Sequence, residues 1–328
     1  MSAAVQADPA DVAGSAHPLA QRRPLGDRVF GWLALAAGLL VLVILVLIAV
    51  TTSQQSTSWF SHEGLSGIFS TDWDPATDHF GAMAFVFGTA VTALVAIILA
   101  VPVSVALALL LTEVVPPRWA RPIVYVVDLL AVVPSVVWGL WGILVFAPWV
   151  QHIYSSIASG LTGIPVLSFL FGGTNTSGAA FFTAGLILAF MITPIVTSLS
   201  REVIATVPSI DKEGAYALGA TRWEMIRGAV WPHSQSGVVG SVLLGLGRAM
   251  GETIAAALVI GSSPAITSHL FSPGYSMPAV IANQFGESSG TFRAALVGMG
   301  VLLFAITIIV NLVARGFVER SARRAKGA

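Results

Sequence analysis

Six long apolar runs, separated by polar segments, set the pattern of this chain. They are Val29 to Val50, about Ala82 to Leu111, about Ile123 to Ala147, about Ala179 to Leu199, about Gly237 to Gly261 and about Phe292 to Ala314. A helix needs about 20 residues to cross the hydrocarbon layer, and each run has that length. Inside hydrocarbon every backbone N–H and C=O must find a partner within the protein. The runs are too long and too uniformly apolar for barrel strands. The pattern therefore predicts an all-α, polytopic membrane protein with six transmembrane helices. Pro102, Pro134 and Pro194 fall inside runs and predict kinks.

Charge orients the spans. An even number puts both termini on one side. Every Lys and Arg except Arg248 and Arg293 then falls on that side, from Arg22, Arg23 and Arg28 through Arg118, Arg121, Arg201, Lys212, Arg222 and Arg227 to Arg315 and the basic tail. The positive side of a membrane protein faces the cytoplasm, so both termini are expected there. The opposite loops carry Glu63, Asp72, Asp74, Asp78 and Glu287. Residues 1–28 read as a disordered tail, 29–316 as the six-helix domain and 317–328 as a basic tail. The first run exceeds a signal-peptide core and reads as an uncleaved anchor.

Composition narrows the chemistry. Of 328 residues, 55% are hydrophobic and 10% charged, against about 25% charged in a soluble domain. Basic and acidic residues balance, which excludes a nucleic-acid partner. Cysteine is absent and the histidines are scattered, which argues against a metal centre. No phosphate-binding GxxxxGK[ST] loop occurs, so the chain itself is expected to bind no ATP and no cofactor. Nothing resembles an intramembrane protease or another catalytic constellation, and no catalytic residue is assigned.

The soluble stretch richest in signals is the loop at about 201–236. Ser209 can cap a helix over 211–218, with Ala215 and Leu218 on one side. Gly219 can end it with positive φ. Thr221 can start a second helix, Arg222 to Val230, broken before Pro232. These residues leave two readings: a hairpin that only joins two spans, or a rigid knob that docks a partner.

In the fifth run stand Arg248 and Glu252. Arg248 lies 11 residues past Gly237, roughly 16 Å into the membrane. A charge there costs about 2.5–3.5 kcal/mol on insertion scales and points to function by default. On a continuous helix the two residues share a face at i and i+4 and can pair. One reading is a buried ion pair that locks helices, helped by Gly247 and Gly251 as a small-residue face. The other is an anion path, with Arg248 presenting planar donors to oxyanion oxygens and Glu252 neutralising it when empty. Thr253 flanks the pair. Pro134 and Ser135 sit at similar depth in the third run, where a broken helix can line a substrate site. Asp128 is placed to meet a loop arginine.

Two groups of residues carry a family resemblance. Glu213-Gly214-Ala215, Gly219 and Ala229-Val230-Trp231-Pro232 follow the spacing of the EAA motif of ABC-importer permeases. Gly214, Ala229 and Trp231 depart from its usual residues. Trp73, Phe80-Gly81, Gly88-Thr89, Pro134-Ser135-Val136-Val137-Trp138-Gly139, Arg201-Glu202, Pro208 and Gly247-Arg248-Ala249-Met250-Gly251-Glu252-Thr253 resemble the PstC-type permeases of phosphate importers, over about 70–315. The resemblance implies a type I ABC-importer fold in the bacterial cytoplasmic membrane. It implies a homologous second permease, two ATPase subunits that hold ATP and Mg, and an extracytoplasmic phosphate-binding protein. Glu213, Gly214, Ala215 and Gly219 would then form the coupling loop that docks an ATPase. Arg248, Glu252, Thr253 and Ser135 would line the path for inorganic phosphate.

Three rivals stand beside this reading. They are a permease for another oxyanion such as molybdate or sulfate, an ion-coupled secondary transporter, and a membrane sensor. On the outer side, Trp59, Trp73 and their aromatic neighbours read either as an interfacial belt or as a dock for the binding protein. The stretches 148–178 and 262–291 read as outer loops.

Overall fold

A computed structural model describes residues 25–161, 163–172 and 177–326. The tail expected to be disordered lies outside the described residues up to residue 24. The chain divides into two units, Met1–Thr51 and Thr52–Ala328. The first contains most of α1 (Leu25–Gln55), which starts with Asp27 in its first turn. That acid suits the positive end of the helix dipole, and the residues after it are apolar all round, as in a membrane span.

The second unit begins with α2 (Thr57–Glu63) and a hairpin of β1 (Trp73–Asp74) and β2 (His79–Phe80), with Trp73 opposite Phe80. Next come α3 (Met83–Leu109), extended by a π-helical turn Leu110–Val114, and α4 (Pro117–Val132). Then follow α5 (Ser135–Trp141), a π turn Gly142–Phe146, α6 (Ala147–Gly160), α7 (Pro165–Phe171) and α8 (Phe181–Ala205). The loop helices α9 (Ser209–Ala217) and α10 (Arg222–Met225) precede a π turn Ile226–Val230 and α11 (Trp231–Gly251). The chain closes with α12 (Ile254–Val259), α13 (Met277–Gln284) and α14 (Gly290–Lys326). The basic residues assigned to a separate tail from 317 therefore continue the last helix.

Helix α8 is the hub, packing against α3, α4, α11 and α12. Its buried residues include Phe181, Ile187, Leu188, Ile192 and Ile204. A Cβ on Gly185 would stand 2.5 Å from Val95 on α3, and one on Gly245 of α11 would stand 2.6 Å from Val196 on α8. Glycine at both crossings lets backbones approach, the packing mode expected where lipid removes the hydrophobic drive between helices.

Five described helical stretches are long and apolar enough to cross a membrane: Val29–Glu63, Met83–Val114, Ser135–Gly160, Phe181–Ala205 and Gly290–Gly316. In the third expected run, Pro134 breaks the helix, the one of its two readings that goes beyond a kink: α4 ends at Val132 and α5 starts at Ser135. The helix then continues through α6, so much of the expected outer loop 148–178 is helical, with residues 173–176 outside the described set. The fifth expected span is also divided, between α11 and α12.

Two of the outer aromatic residues, Trp59 and Trp73, pack inward, whereas Phe69 is 74% exposed. Trp59 is 0% exposed and donates its indole N–H to the Phe80 carbonyl at 2.9 Å. Trp73 donates to Gln284 Oε1 at 3.2 Å and packs edge-on against Phe80 and Phe85. Thr89 accepts from the Met277 N–H at 2.9 Å, and Gly88 lies against the Tyr275 carbonyl with no space for a Cβ. The family-like residues Trp73, Phe80, Gly88 and Thr89 thus clamp the stretch after α12 onto the start of α3. That stretch, expected as an outer loop, is buried at Phe271 and from Gly274 to Val280.

Candidate functional site

Helix α11 starts at Trp231 with Pro232 in its first turn and stops at Gly251. Glu252 takes an extended conformation (φ −69°, ψ 124°), and α12 begins only at Ile254. The expected continuous helix is therefore broken at Glu252–Thr253, and the two charged residues are not stacked one turn apart. No ion pair joins Arg248 to Glu252 among the described residues. Glu252 Oε1 instead accepts the Ala255 N–H at 3.2 Å, and Thr253 donates to the Gly251 carbonyl at 3.2 Å. The carboxylate caps the short helix that follows the break, and Arg248 stands in the last turn of the helix before it. A cation there suits the negative end of the helix dipole.

The small-residue face is also displaced from expectation. A Cβ on Gly247 or Gly251 would meet nothing within 4 Å, whereas Gly245 packs against Val196. Gly247 is open because it lines a cavity of ≈ 780 Å³ with Ser236, Gly240, Arg248, Asn311 and Arg315, walled by Ile195, Leu243 and Leu244. The cavity runs along α11 and is flanked by α8 and α14. Its described lining holds two guanidinium groups and no carboxylate.

Ser135 does not belong to that lining. It opens α5 directly after the Pro134 break. Gly139, one turn on, packs against α12, where a Cβ would come 2.9 Å from Ala255 Cα. The Pro134–Gly139 stretch thus supports the segment beyond the break in α11. Among the described residues Asp128 meets no arginine; it accepts a hydrogen bond from Ser198 at 3.0 Å, tying α4 to α8.

The loop helices keep the expected turn and change its flanks. Ser209 is the first helical residue of α9 and Pro208 occupies the cap, without a side-chain cap bond. Gly219 has φ +82°. Its N–H reaches the Tyr216 carbonyl at 2.9 Å and the Ala220 N–H reaches the Ala215 carbonyl at 3.1 Å. This paired pattern closes a helix with a left-handed residue, the conformation in which glycine lacks a Cβ penalty. Glu213 and Gly214 are exposed on α9, and Ala215 packs on the cluster of Ile204, Val207, Met225 and Ile226. Leu218 does not share that face: it is 91% exposed, with Ile210 and Trp223 also exposed.

Thr221 and Glu224 form a reciprocal cap for α10. The Thr221 N–H donates to Glu224 Oε2 at 2.8 Å, and Thr221 Oγ1 accepts the Glu224 N–H at 3.4 Å. The Thr221 backbone bond, then its hydroxyl, holds the Glu224 carboxyl below the usual carboxylate range. The helix does not break before Pro232. The π turn Ile226–Val230, closed by the Trp231 N–H on the Ile226 carbonyl, leads directly into α11. A widened turn makes room for the proline ring, which in a regular helix strikes the carbonyl four residues back.

Sequence reasoning passed over Asn311, Arg315, Ser236 and Glu113. Asn311 and Arg315 carried a signal: both are polar, one helical turn apart, at the end of an apolar run. Glu113 Oε1 receives Lys212 Nζ at 2.6 Å, a contact across 99 residues that no local pattern announces.

Comparison with known proteins fits this arrangement. Residues 100–327 match the family described as binding-protein-dependent transport system inner membrane component. The chain belongs to this family of multi-pass inner-membrane permeases. It is 42% identical over 287 residues to the phosphate transport system permease protein PstC of Pasteurella multocida, covering 87% of this chain and 89% of that one. It is 41% identical over 322 residues to the PstC of Mesorhizobium japonicum, covering 98% of each chain. Among solved structures, a bacterial ABC transporter that imports the acidic polysaccharide alginate aligns with TM-score 0.61 at 16% identity, over 90% of this chain and 98% of that one. At that identity the likeness establishes the fold alone.

Proposed function

We propose that this chain is the membrane-spanning permease subunit of an ATP-driven importer that carries inorganic phosphate into the bacterial cytoplasm. The observation that carries the reading is the cavity at Arg248, whose described lining holds two arginines and no carboxylate. Guanidinium presents planar paired donors that match phosphate oxygens. A break in a membrane helix is a recurrent place for a substrate site, and Arg248 lies one turn before such a break. Glu252 and Thr253 form the break and set its geometry; Ser135 acts through the support that α5 gives to α12. The PstC names of the relatives agree with this chemistry.

The same reading assigns the partners. A homologous second permease would cover the open side of the cavity. Two ATPase subunits would bind ATP and Mg and dock on the loop of Glu213, Gly214, Ala215 and Gly219. The exposed Ile210, Leu218 and Trp223 give that loop an apolar docking surface. A phosphate-binding protein would deliver substrate outside. Both termini then lie in the cytoplasm, which places Arg315 at the inner end of the cavity.

The test is uptake of radiolabelled phosphate, at micromolar concentration, into cells that lack the gene and are complemented with wild type or Arg248→Ala. Membrane levels of each protein are checked, and sulfate and molybdate are added as competitors. Restored uptake by wild type, its loss in the variant and no competition are expected. Competition by sulfate or molybdate would favour the other-oxyanion reading. No restoration with all partners present would end the phosphate reading.

A further inference from the structure

We propose that Arg315, with Asn311 and Ser236, forms a second oxyanion contact at the inner end of the cavity, distinct from the contact at Arg248. The inference rests on the reading of that cavity as the substrate path. Ser236 and Arg248 both line it, and they are 12 residues apart on α11, so it extends roughly 18 Å along the helix. On α14, Asn311 and Arg315 are spaced i and i+4 and face the same space. Gly240 and Gly247 keep the floor open, since a Cβ on either would meet nothing within 4 Å.

Charge argues for an anion here. Neither Arg248 nor Arg315 has an ion-pair partner among the described residues. Two like charges lining one groove, with no carboxylate in its described lining, repel each other. A tetrahedral oxyanion relieves that repulsion at either end. Arg315 can supply paired donors and Asn311 an amide N–H, while Ser236 can donate a hydroxyl. Two weak contacts in series let an anion leave Arg248 without returning to bare water.

The shared chemistry, a phosphate oxyanion, could come from free phosphate or from a lipid headgroup, and the experiment separates them. The chain contains no cysteine, so Asn311→Cys creates a unique thiol. The complete transporter, with its partner subunits, is placed in nanodiscs and treated with an anionic methanethiosulfonate reagent, and modification of this chain is followed by mass. Arg315→Gln in the same background is expected to slow modification several-fold, because a nearby cation concentrates anions. Millimolar inorganic phosphate is expected to slow it in discs of zwitterionic and of anionic lipid alike. Protection that follows anionic lipid content and ignores inorganic phosphate would assign the site to a headgroup and overturn the proposal.

Uptake gives the second readout. Arg315→Gln is expected to lower maximal phosphate uptake several-fold with membrane level and ATPase stimulation by the binding protein retained, and Arg315→Lys to restore part of it. If Arg248→Ala abolishes uptake while Arg315→Gln transports as wild type and labels as fast, the inner contact is wrong and the outer site stands. If wild type moves no phosphate, the underlying reading fails first.

Discussion

Lys212 Nζ stands 2.6 Å from Glu113 Oε1, so α9 in the cytoplasmic loop is tied to the π turn that ends α3. The Glu113 side chain is 6% exposed and that of Lys212 21%. Removing one partner of a buried pair leaves an uncompensated charge and costs about 3–5 kcal/mol. Lys212→Ala should cost about 3 kcal/mol, the low end, because water reaches Lys212. Thermal unfolding in detergent would measure this. The double variant Lys212→Met, Glu113→Leu should recover most of the loss. Equal stability of Lys212→Ala and wild type would show that the pair holds nothing.

Two glycines in one loop should behave oppositely. Gly214 sits inside α9 where a Cβ meets nothing within 4 Å, so Gly214→Ala should stabilise the helix by about 0.5–1 kcal/mol. Gly219 also has open space around it but φ is +82°, and forcing an L residue there costs roughly 1–2 kcal/mol. Gly219→Val should leave insertion intact while ATP hydrolysis proceeds with reduced uptake. The check is the ratio of ATP consumed to phosphate moved, with full coupling in Gly219→Val as the contrary result.

Arg248 and Glu252 should act independently in stability. Glu252 accepts from the Ala255 N–H and makes no ion pair with Arg248. A cycle of Arg248→Ala and Glu252→Ala should show a coupling energy below about 0.5 kcal/mol, the limit for non-contacting sites. Glu252→Gln, which keeps an acceptor, should be milder than Glu252→Ala. A coupling of several kcal/mol would restore the locked ion pair.

The α10 cap should respond to acid. The Glu224 carboxyl lies below its ordinary value of 4.5 because Thr221 donates to its charged form. A depressed value means that the cap adds stability above the ordinary value and loses it as pH falls through the depressed one. Amide exchange at Arg222–Met225, corrected for intrinsic rates, should therefore quicken relative to α8 as pH drops below about 4.5. Glu224→Gln should remove that dependence.

The long elements were legible because lipid enforces them. Runs such as Ala82–Leu111 and Ala179–Leu199 have one stable solution in hydrocarbon, a helix, and α3 and α8 follow them closely. Gly219 was legible because its role is local. Interruptions were not legible. Glu252–Thr253 breaks a run that is apolar on both sides, where the Glu252 cap on the Ala255 N–H and the packing of α12 on α5, α8 and α13 hold the break. Pro232 was expected to stop a helix, yet the π turn before it absorbs the ring. Trp59 looked like a surface aromatic because its acceptor, the Phe80 carbonyl, arrives from 21 residues away. At the site, Arg248 was found from its depth and from the family-like stretch Gly247–Thr253, while Arg315 was hidden among the other basic residues of the chain's end.

Because the turn at Ile226–Val230 bridges Pro232, Arg222 to Gly251 forms one rod of 29 residue steps, roughly 44 Å long. The close crossing of Gly245 on Val196 offers it a fulcrum. About 35 Å of rod lies on the loop side of that point and about 9 Å on the side of the break. Pivoting there would reduce a displacement at Arg222 about fourfold by the time it reached Gly251, and reverse its direction. A push of several ångströms on the loop would become a fine adjustment next to Arg248, large enough to change contacts with a bound ion and too small to unseat the surrounding helices.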